Sequence, residues 1–239
     1  MAMNIPGELV WVLDMLGYDW PPIDEDETRR AAEILRQFGE DLEGTIQVAD
    51  TKIMSDVSSA IKAGSNKAYE TAWTEQRSGN MRQLVELIDP AADGVDLFAD
   101  AVVAMKIKVI AELVITAAQI AAAIASSVVT LGLSAAANAA IIALRKKALD
   151  VLTNIAVDQI AGQLLTMLVE PLTSVAVSLL SSIADAPIVQ GAAAEVSEFN
   201  ADLEALEKAA GDIETNGQDQ QRLADEFIAQ ITSCQIITE

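Results

Sequence analysis

The chain has 239 residues and a formal net charge of −21, with 36 acidic residues, 15 basic residues, one cysteine and no histidine. Without histidine it cannot build a Ser-His-Asp triad, a Cys-His pair or a histidine-ligated metal site. Its acidic balance argues against nucleic-acid binding, which needs clustered Lys and Arg. Hydrophobic residues make up 51 % of the chain but aromatic residues only 4 %. Alanine is the best helix former, so this Ala-rich composition with only six prolines predicts an all-α protein.

The charge is unevenly distributed along the chain. Residues 1–100 carry 20 acids and 8 bases (net −12), residues 101–194 carry 5 of each, and residues 195–239 carry 11 acids and 2 bases (net −9). This pattern predicts an acidic N-terminal segment at 1–100, a hydrophobic Ala-rich helical region at 101–194 and acidic C-terminal helices at 195–239. The predicted architecture is a long antiparallel helical hairpin, at about 24–89, packed with a hydrophobic Ala-rich helical bundle.

An apolar lead of residues 1–23 precedes the hairpin. It favours a short helix that ends at Gly17, and it contains Trp11 and Trp20. The lead is either a hydrophobic cap on the bundle or a patch that docks a partner, because Trp is enriched in interface hot spots. No basic residue precedes Arg29, which argues against a Sec-type signal peptide.

The first helix of the hairpin has a recognisable start. Asp24 is a good N-cap residue, and Glu27 stands three residues later, as in a capping box. Two glycines, Gly39 and Gly44, lie off the apolar stripe of this helix and mark either a bend or a place where another helix comes close. The stripe has helical spacing and predicts a helix to about Lys62. It comprises Ala31, Leu35, Phe38, Leu42, Ile46, Ala49, Ile53, Val57 and Ala60.

A turn at residues 63–66 leads to the second helix of the hairpin. This helix is predicted to end at Asp89-Pro90, because proline removes a backbone donor and clashes with the preceding turn. Residues 91–100 then form a connection or a short helix. Two long amphipathic helices joined by so short a turn make an antiparallel hairpin. The second stripe comprises Tyr69, Trp73, Gln76, Asn80, Leu84 and Leu87.

The central region is close to continuous apolar helix. Leu113 to Leu144 is a run of 32 residues without a charged side chain. Such a run is long enough to cross a bilayer once, or it forms helices that are buried all round in a bundle. In an inserting hairpin at about 109–144, the 32 uncharged residues give only about 16 residues or 24 Å per arm, short of a hydrocarbon core of about 30 Å. Both readings stay open at this point.

The remaining predicted breaks are few. Gly132, Pro171 and residues 185–187 interrupt the apolar region, and Asn216-Gly217 separates two acidic amphipathic helices near the C-terminus. For the inserting hairpin, the membrane-facing candidates are Leu113, Ile120, Ile124, Val128, Gly132 and Ile141.

Three stretches resemble a known family: NIPGELVWVLDMLGYDWPPIDEDETRRAAEILRQFGEDLEGTI, AYETAWTEQRSGN and IAELVITAAQIAAAIASSVVTLGLSAAANAAIIALRKKALD. Together they resemble the WXG-like N-terminal domain of actinobacterial type VII-secreted polymorphic toxins, as in the mycobacterial outer-membrane channel protein with a C-terminal necrotizing toxin. The resemblance covers roughly residues 4–185. It implies a helical hairpin, a following hydrophobic helical region, export by a type VII system and a small helical partner.

The export signal of type VII substrates is Tyr-x-x-x-Asp/Glu after a hairpin. In this chain the residues four positions after Tyr18 and Tyr69 are Pro22 and Trp73. If the chain is exported, the resemblance therefore implies a signal supplied by the partner. The expected location is outside the cell or at the cell envelope.

No catalytic, cofactor-binding or metal-binding residues are predicted, and no enzyme activity is expected. The acids of Asp24 to Glu27 are explained by the helix dipole, because acidic side chains are favoured at a helix N-terminus. Trp73 and Arg77 share a helix face and are suited to stacking, in the core or on a partner. The partner-binding candidates are Trp11, Trp20, Tyr69, Trp73 and Arg77.

Together with these observations, the resemblance implies a non-enzymatic type VII secretion and delivery module of a polymorphic toxin. Such a module would bind a small helical WXG-type partner, associate with itself, or both, and would engage the type VII secretion machinery. The alternative is a pore-forming or outer-membrane channel domain that inserts its hydrophobic hairpin.

Overall fold

The computed structural model describes residues 2–62, 65–127, 142–150 and 200–238. The protein is all-α, as predicted, and the described residues also include a pair of two-residue strands. A 3₁₀ turn at Gly7–Leu9 leads into the first α-helix. The elements are α1 (Val10–Leu16), α2 (Glu25–Lys52), a π turn (Ile53–Val57), α3 (Ser58–Ala60), β1 (Ile61–Lys62), α4 (Ser65–Ser127), α5 (142–150), β2 (Asn200–Ala201) and α6 (Leu203–Thr232).

The chain folds into two compact units. Unit 1 comprises Met1–Arg30, Val95–Thr166 and Gln235–Glu239, and unit 2 comprises Ala31–Gly94 and Met167–Cys234. The unit boundaries therefore fall inside α2 and inside α4. The division into three segments, which rests on charge and composition, stays a prediction.

Unit 1 is built around large aliphatic side chains from α1 and α4. Its core contains Leu9, Val12, Leu16, Tyr18, Val109, Leu113 and Leu149. Helix α1 ends as predicted at Gly17, whose φ of 57° is in the left-handed region that glycine adopts without strain. The backbone N–H of Gly17 donates to Asp14 and that of Tyr18 donates to Leu13, so the last carbonyls of α1 are satisfied.

Unit 2 places α2 against both α4 and α6. The face of α2 toward α4 carries Leu42 and Ile46, which bury Ile88 between them. The face toward α6 carries Ala49, and Val57 follows in the π turn; both pack with the buried Ala209 of α6. At one end β1 pairs antiparallel with β2, with Ile61 opposite Ala201 and Lys62 opposite Asn200. The predicted stripe of the first hairpin helix is thus the side of α2 that makes its contacts.

Two predicted helix ends were wrong. Helix α4 continues through Pro90, although this proline cannot donate the hydrogen bond that would reach the preceding turn. Ile88, Ala91 and Ala92 are buried on either side of it, and their packing outweighs the local cost, which is about 3 kcal/mol in an exposed helix. Residues 91–100 are therefore helix rather than a connection.

Helix α6 likewise continues through Asn216-Gly217. The side-chain amide of Asn216 donates to the carbonyl of Thr45 on α2 at 3.0 Å, which holds this position against the neighbouring helix. Asn216 favours a turn when only the local sequence is considered, but here it forms a hydrogen bond between two helices. The predicted breaks at Gly132, Pro171 and residues 185–187 lie outside the described residues.

Within the described part of the chain, no helix combines the length and the apolar character that a bilayer crossing requires. Of the 32-residue uncharged run, residues 113–127 and 142–144 are described, and residues 128–141 lie outside the described part.

Candidate functional site

Helix α4 is apolar on two opposite faces in unit 1. The inner face is buried and contributes Val102, Met105, Val109, Leu113 and Ile120 to the interior. The outer face repeats apolar residues at alternating steps of three and four, which is the spacing of a coiled-coil seam. This outer seam comprises Ala104, Ile107, Ala111, Val114, Ala118 and Ala121. All six are exposed, Ile107 by 53 % and Val114 by 51 %.

A second exposed apolar patch lies on α1. Leu9, Val12 and Leu16 face the core, whereas Trp11 is 45 % exposed and Met15 lies next to it at the i+4 position. Trp and Met are enriched at protein interfaces relative to the rest of the surface. Trp11, a predicted partner-binding residue, is thus placed where a partner can reach it.

Trp20, the other tryptophan of the apolar lead, packs against the core of unit 1. The ammonium of Lys106 lies 5.8 Å from the centre of the Trp20 ring, within cation–π range. The side chain of Trp20 has intermediate exposure, so most of its contacts are made inside unit 1.

Lys106 and Glu25 form a buried ion pair beneath Trp20. Nζ of Lys106 donates to Oε2 of Glu25 at 2.6 Å and to the carbonyl of Ile23 at 2.7 Å, and both charged side chains are 3 % exposed. The backbone N–H of Met3 donates to Oε1 of Glu25. Burial raises the pKa of Glu25, but the hydrogen bonds from Lys106 and Met3 outweigh it, so the pKa lies below its ordinary value.

The N-terminus of α2 is capped as the sequence predicted. One oxygen of the Asp24 side chain accepts hydrogen bonds from the N–H groups of Asp26 at 2.9 Å and Glu27 at 3.0 Å. In a complete capping box the side chain of Glu27 would accept a hydrogen bond from the N–H of Asp24. Here that N–H donates instead to the carbonyl of Ile236 at 2.8 Å. The C-terminal tail thereby pairs with the start of α2 inside unit 1, and Ile23 and Ile237 form an antiparallel bridge.

The structure brings only part of the predicted site together. The backbone of Tyr69, Trp73 and Arg77 lies in α4, but their side chains are outside the described residues. Of the membrane-facing candidates, Leu113 and Ile120 are buried. The remaining four cannot be compared in this way: the side chain of Ile124 and the whole of Val128, Gly132 and Ile141 lie outside the described residues. The described residues contain no group of acids and cysteine arranged to hold a metal ion.

Sequence reasoning missed the outer seam of α4 and the Glu25–Lys106 pair. The seam could not be recognised because α4 is apolar on all sides from Ala101 onward, so no polar face indicates which side is turned outward. Lys106 did give a signal, since a lysine inside an apolar helix needs a partner, but its carboxylate lies 81 residues earlier.

A comparison with protein-family models identifies a WXG100 like domain over residues 6–146, which is more than half of the chain. The chain belongs to the WXG100-like family. The matched range includes α1, α2, α3 and α4, and it therefore contains both exposed apolar surfaces. Searches of curated proteins and of solved structures gave no match.

Membership identifies this WXG100-like protein as a helical protein related to type VII secretion. Members of the WXG100 family typically form dimers of helical hairpins and are secreted by the type VII route. An exposed apolar seam on a long helix is the kind of surface that such dimers bury.

Proposed function

We propose that this WXG100-like protein is a non-enzymatic type VII secretion and delivery module whose α4 seam binds a small helical partner or a second copy of the chain. The observation that carries the proposal is the exposed outer seam of α4 inside the matched domain. A helix of similar spacing would pack Ile107 and Val114 into its own grooves, with the alanines allowing close approach.

Burial supplies the driving force for this contact. Removing an aliphatic side chain from water is worth about 1.5–3 kcal/mol when burial is complete. Ile107 and Val114 are each about half exposed, so each has part of that energy still to gain. Lys108 and Gln119, which are exposed beside the seam, give the interface a polar rim.

The test is co-expression with candidate small helical proteins, followed by size exclusion with light scattering. Val114→Glu and Ile107→Glu are expected to abolish the assembly, because each places a charge in the middle of the seam. Gln83→Glu is the matched control, since Gln83 is exposed on α4 but lies in unit 2. Loss of assembly in the seam variants alone supports the proposal.

Two outcomes would overturn it. One is a monomer that captures no candidate partner and forms no dimer. The other is a monomer in which a fluorescent probe at Val114→Cys, in a Cys234→Ser background, is shielded from water. That result would mean that another segment of the same chain packs over the seam.

Secretion is tested separately. We expect a reporter fused after the chain to appear in the medium only in cells with an intact type VII system and a co-expressed partner. A signal that persists after the secretion ATPase is inactivated would exclude the delivery role. Delivery of a toxin follows from the resemblance alone, and its test is whether the complete gene continues into a toxic domain.

The inserting-hairpin alternative stays a prediction. Leu113 and Ile120 already face the interior of unit 1, so these two side chains would have to leave their present contacts in order to meet lipid. Liposome flotation at neutral and acid pH, with planar-bilayer conductance, is the measurement that would favour insertion over association.

A further inference from the structure

A groove runs between α2 and α6 in unit 2. The two helices are antiparallel and make apolar contacts on either side of a polar stretch. Phe38 stacks on Phe227 with ring centres 4.5 Å apart, and Ala49 and Val57 pack on Ala209. Between these contacts the helices are joined by polar side chains. Asn216 donates to the carbonyl of Thr45, and the amide of Gln220 donates to Oγ1 of Thr45 at 3.3 Å.

Above these polar contacts the helices leave an open cavity of about 430 Å³. A cavity of about 80 Å³ adjoins it toward Lys52 and Asp212, and one of about 30 Å³ adjoins it toward Gln37 and Gln230. The three share lining residues and therefore form one groove. From Gln37 to Lys52 its length along α2 is about 22 Å at 1.5 Å per residue, which is about four helical turns.

The floor of the groove is accessible to another backbone. A methyl group added at Gly44 would find no atom within 4 Å, and the neighbouring Val48 is 51 % exposed. Val48 and Leu223 provide a narrow apolar strip in the groove. A helix with small apolar residues on one face fits such a strip, because small side chains allow helix axes to come close.

The walls of the groove are acidic. Asp41, Asp212, Asp219 and Glu226 line it, against Lys52 and Arg222. Both cations are already engaged, Lys52 with Asp212 at 3.1 Å and Arg222 with Glu226 at 2.8 Å and Asp219 at 3.7 Å, so four acids share two cations. The groove therefore has an excess of negative charge that an incoming cation would neutralise.

The two helices that form the groove are themselves acidic. Helix α2 carries eight acids and four bases, and α6 carries seven acids and two bases, so their net charges are −4 and −5. A second copy of either helix would be repelled. Within the described residues, the basic group at 145–147 lies in unit 1, where Arg145 pairs with Glu112 and Lys146 donates to the carbonyl of Gly17. The charge of the chain thus favours an occupant from another protein.

We propose that the α2–α6 groove binds a basic amphipathic helix of a partner protein, with small apolar residues on the face toward Gly44 and Val48 and Lys or Arg toward Asp41, Asp219 and Glu226. The groove lies in unit 2 and is a different surface from the α4 seam in unit 1. Its occupation does not depend on the proposed secretion role.

The probe is a synthetic 22-residue helical peptide with an Ala/Leu face flanked by Lys and Arg, labelled for fluorescence anisotropy with the full chain. The same peptide with Glu in place of Lys and Arg is the control ligand. We expect the basic peptide to bind with an affinity that falls as salt is raised, and the acidic peptide not to bind.

Two matched pairs of variants separate the groove from general attraction to an acidic protein. Asp41→Lys is expected to weaken binding about tenfold, whereas Glu40→Lys makes the same charge change on the exposed side of α2 and should have a much smaller effect. Gly44→Leu fills the groove and should abolish binding. Gly217→Leu, where the added side chain also meets open space, should not.

Equal weakening by Asp41→Lys and Glu40→Lys would overturn the proposal, because binding would then follow net charge. Unchanged binding in Gly44→Leu, or no binding of the basic peptide to the wild-type chain, would also overturn it. The seam variant Val114→Glu must leave peptide binding intact. Loss of partner assembly with retained peptide binding, or the reverse, thus identifies which of the two proposals fails.

Discussion

The two units of this WXG100-like protein differ in the side chains that pack inside each of them. Unit 1 buries large side chains such as Leu113 and Val109 completely, and it encloses the ion pair of Glu25 and Lys106. In unit 2 the contact between α2 and α6 rests on alanine, on a polar middle and on one aromatic stack, with an open groove beside it. Interiors are normally packed as closely as organic crystals. The comparison shows that unit 1 closes its interior around large side chains, whereas unit 2 leaves an open groove between two of its helices.

The largest expected effect comes from breaking the buried ion pair. Lys106→Met leaves Glu25 buried without a counter-charge and should lower the free energy of unfolding by about 3–5 kcal/mol. Urea denaturation followed by circular dichroism measures it. The double variant Glu25→Gln with Lys106→Met should recover most of the loss, since replacing both members of a buried pair is often neutral. A cost below 1 kcal/mol for Lys106→Met alone would contradict this.

Truncating one leucine in each unit compares their packing directly. Leu113→Ala in unit 1 should cost about 4 kcal/mol and Leu42→Ala in unit 2 about 2 kcal/mol, because Leu113 is fully buried in a large cluster whereas Leu42 is 5 % exposed in a smaller one. Thermal unfolding of the two variants under the same conditions measures the difference. Equal costs would show that the units are packed equally well despite the groove.

The two glycines of α2 should respond with opposite signs. A methyl group at Gly39 would lie 2.9 Å from Cγ2 of Ile88, so Gly39→Ala should destabilise the protein by about 1–2 kcal/mol. Gly44 faces open space, so Gly44→Ala should stabilise it by about 0.5–1 kcal/mol through helix propensity. Chemical denaturation of the pair is the measurement. Two changes of the same sign would refute the close approach of α2 and α4.

The cap of α2 tests the N-terminal part of unit 1. Asp24→Ala removes the oxygen that accepts from Asp26 and Glu27 and should cost about 1 kcal/mol. Asp24→Asn retains an acceptor and should cost only a few tenths of that. The denaturation midpoints of both variants measure the two costs. An Asn variant as unstable as the Ala variant would mean that the charge of Asp24, rather than its hydrogen bonds, stabilises the start of α2.

The smallest expected effect is a pH dependence. The pKa of Glu25 is lowered in the folded protein, so the stabilisation from this group is complete above the unfolded-state pKa, about 4.3, and is lost as the pH falls through the folded-state pKa. Unfolding free energies of wild type and Glu25→Gln measured between pH 3 and 7 should therefore converge toward acid pH. Parallel curves would show that Glu25 does not titrate differently on folding.

Much of the fold could be predicted from local patterns in the sequence. The Ala-rich composition, the stripe from Ala31 to Ala60, the Asp24 cap and the stop at Gly17 each depend on residues within one or two helical turns. Such features rest on backbone propensity and periodicity, which act over short range. Family membership also agrees with the WXG-like resemblance. Of the predicted partner-binding residues whose side chains are described, Trp11 is exposed and Trp20 packs on the core of unit 1, and their partner contacts stay a prediction.

The sequence by itself determined that the protein is helical, where α2 begins and which of its residues face other helices, because spacing along one helix decides these. Only the tertiary structure decided that α4 passes through Pro90, that α6 passes through Asn216-Gly217, and that Lys106 meets Glu25 across 81 residues. It also decided which face of the apolar part of α4, from Ala101 onward, is turned outward. These outcomes depend on contacts between distant segments, whose energies exceed the local preferences that the sequence displays.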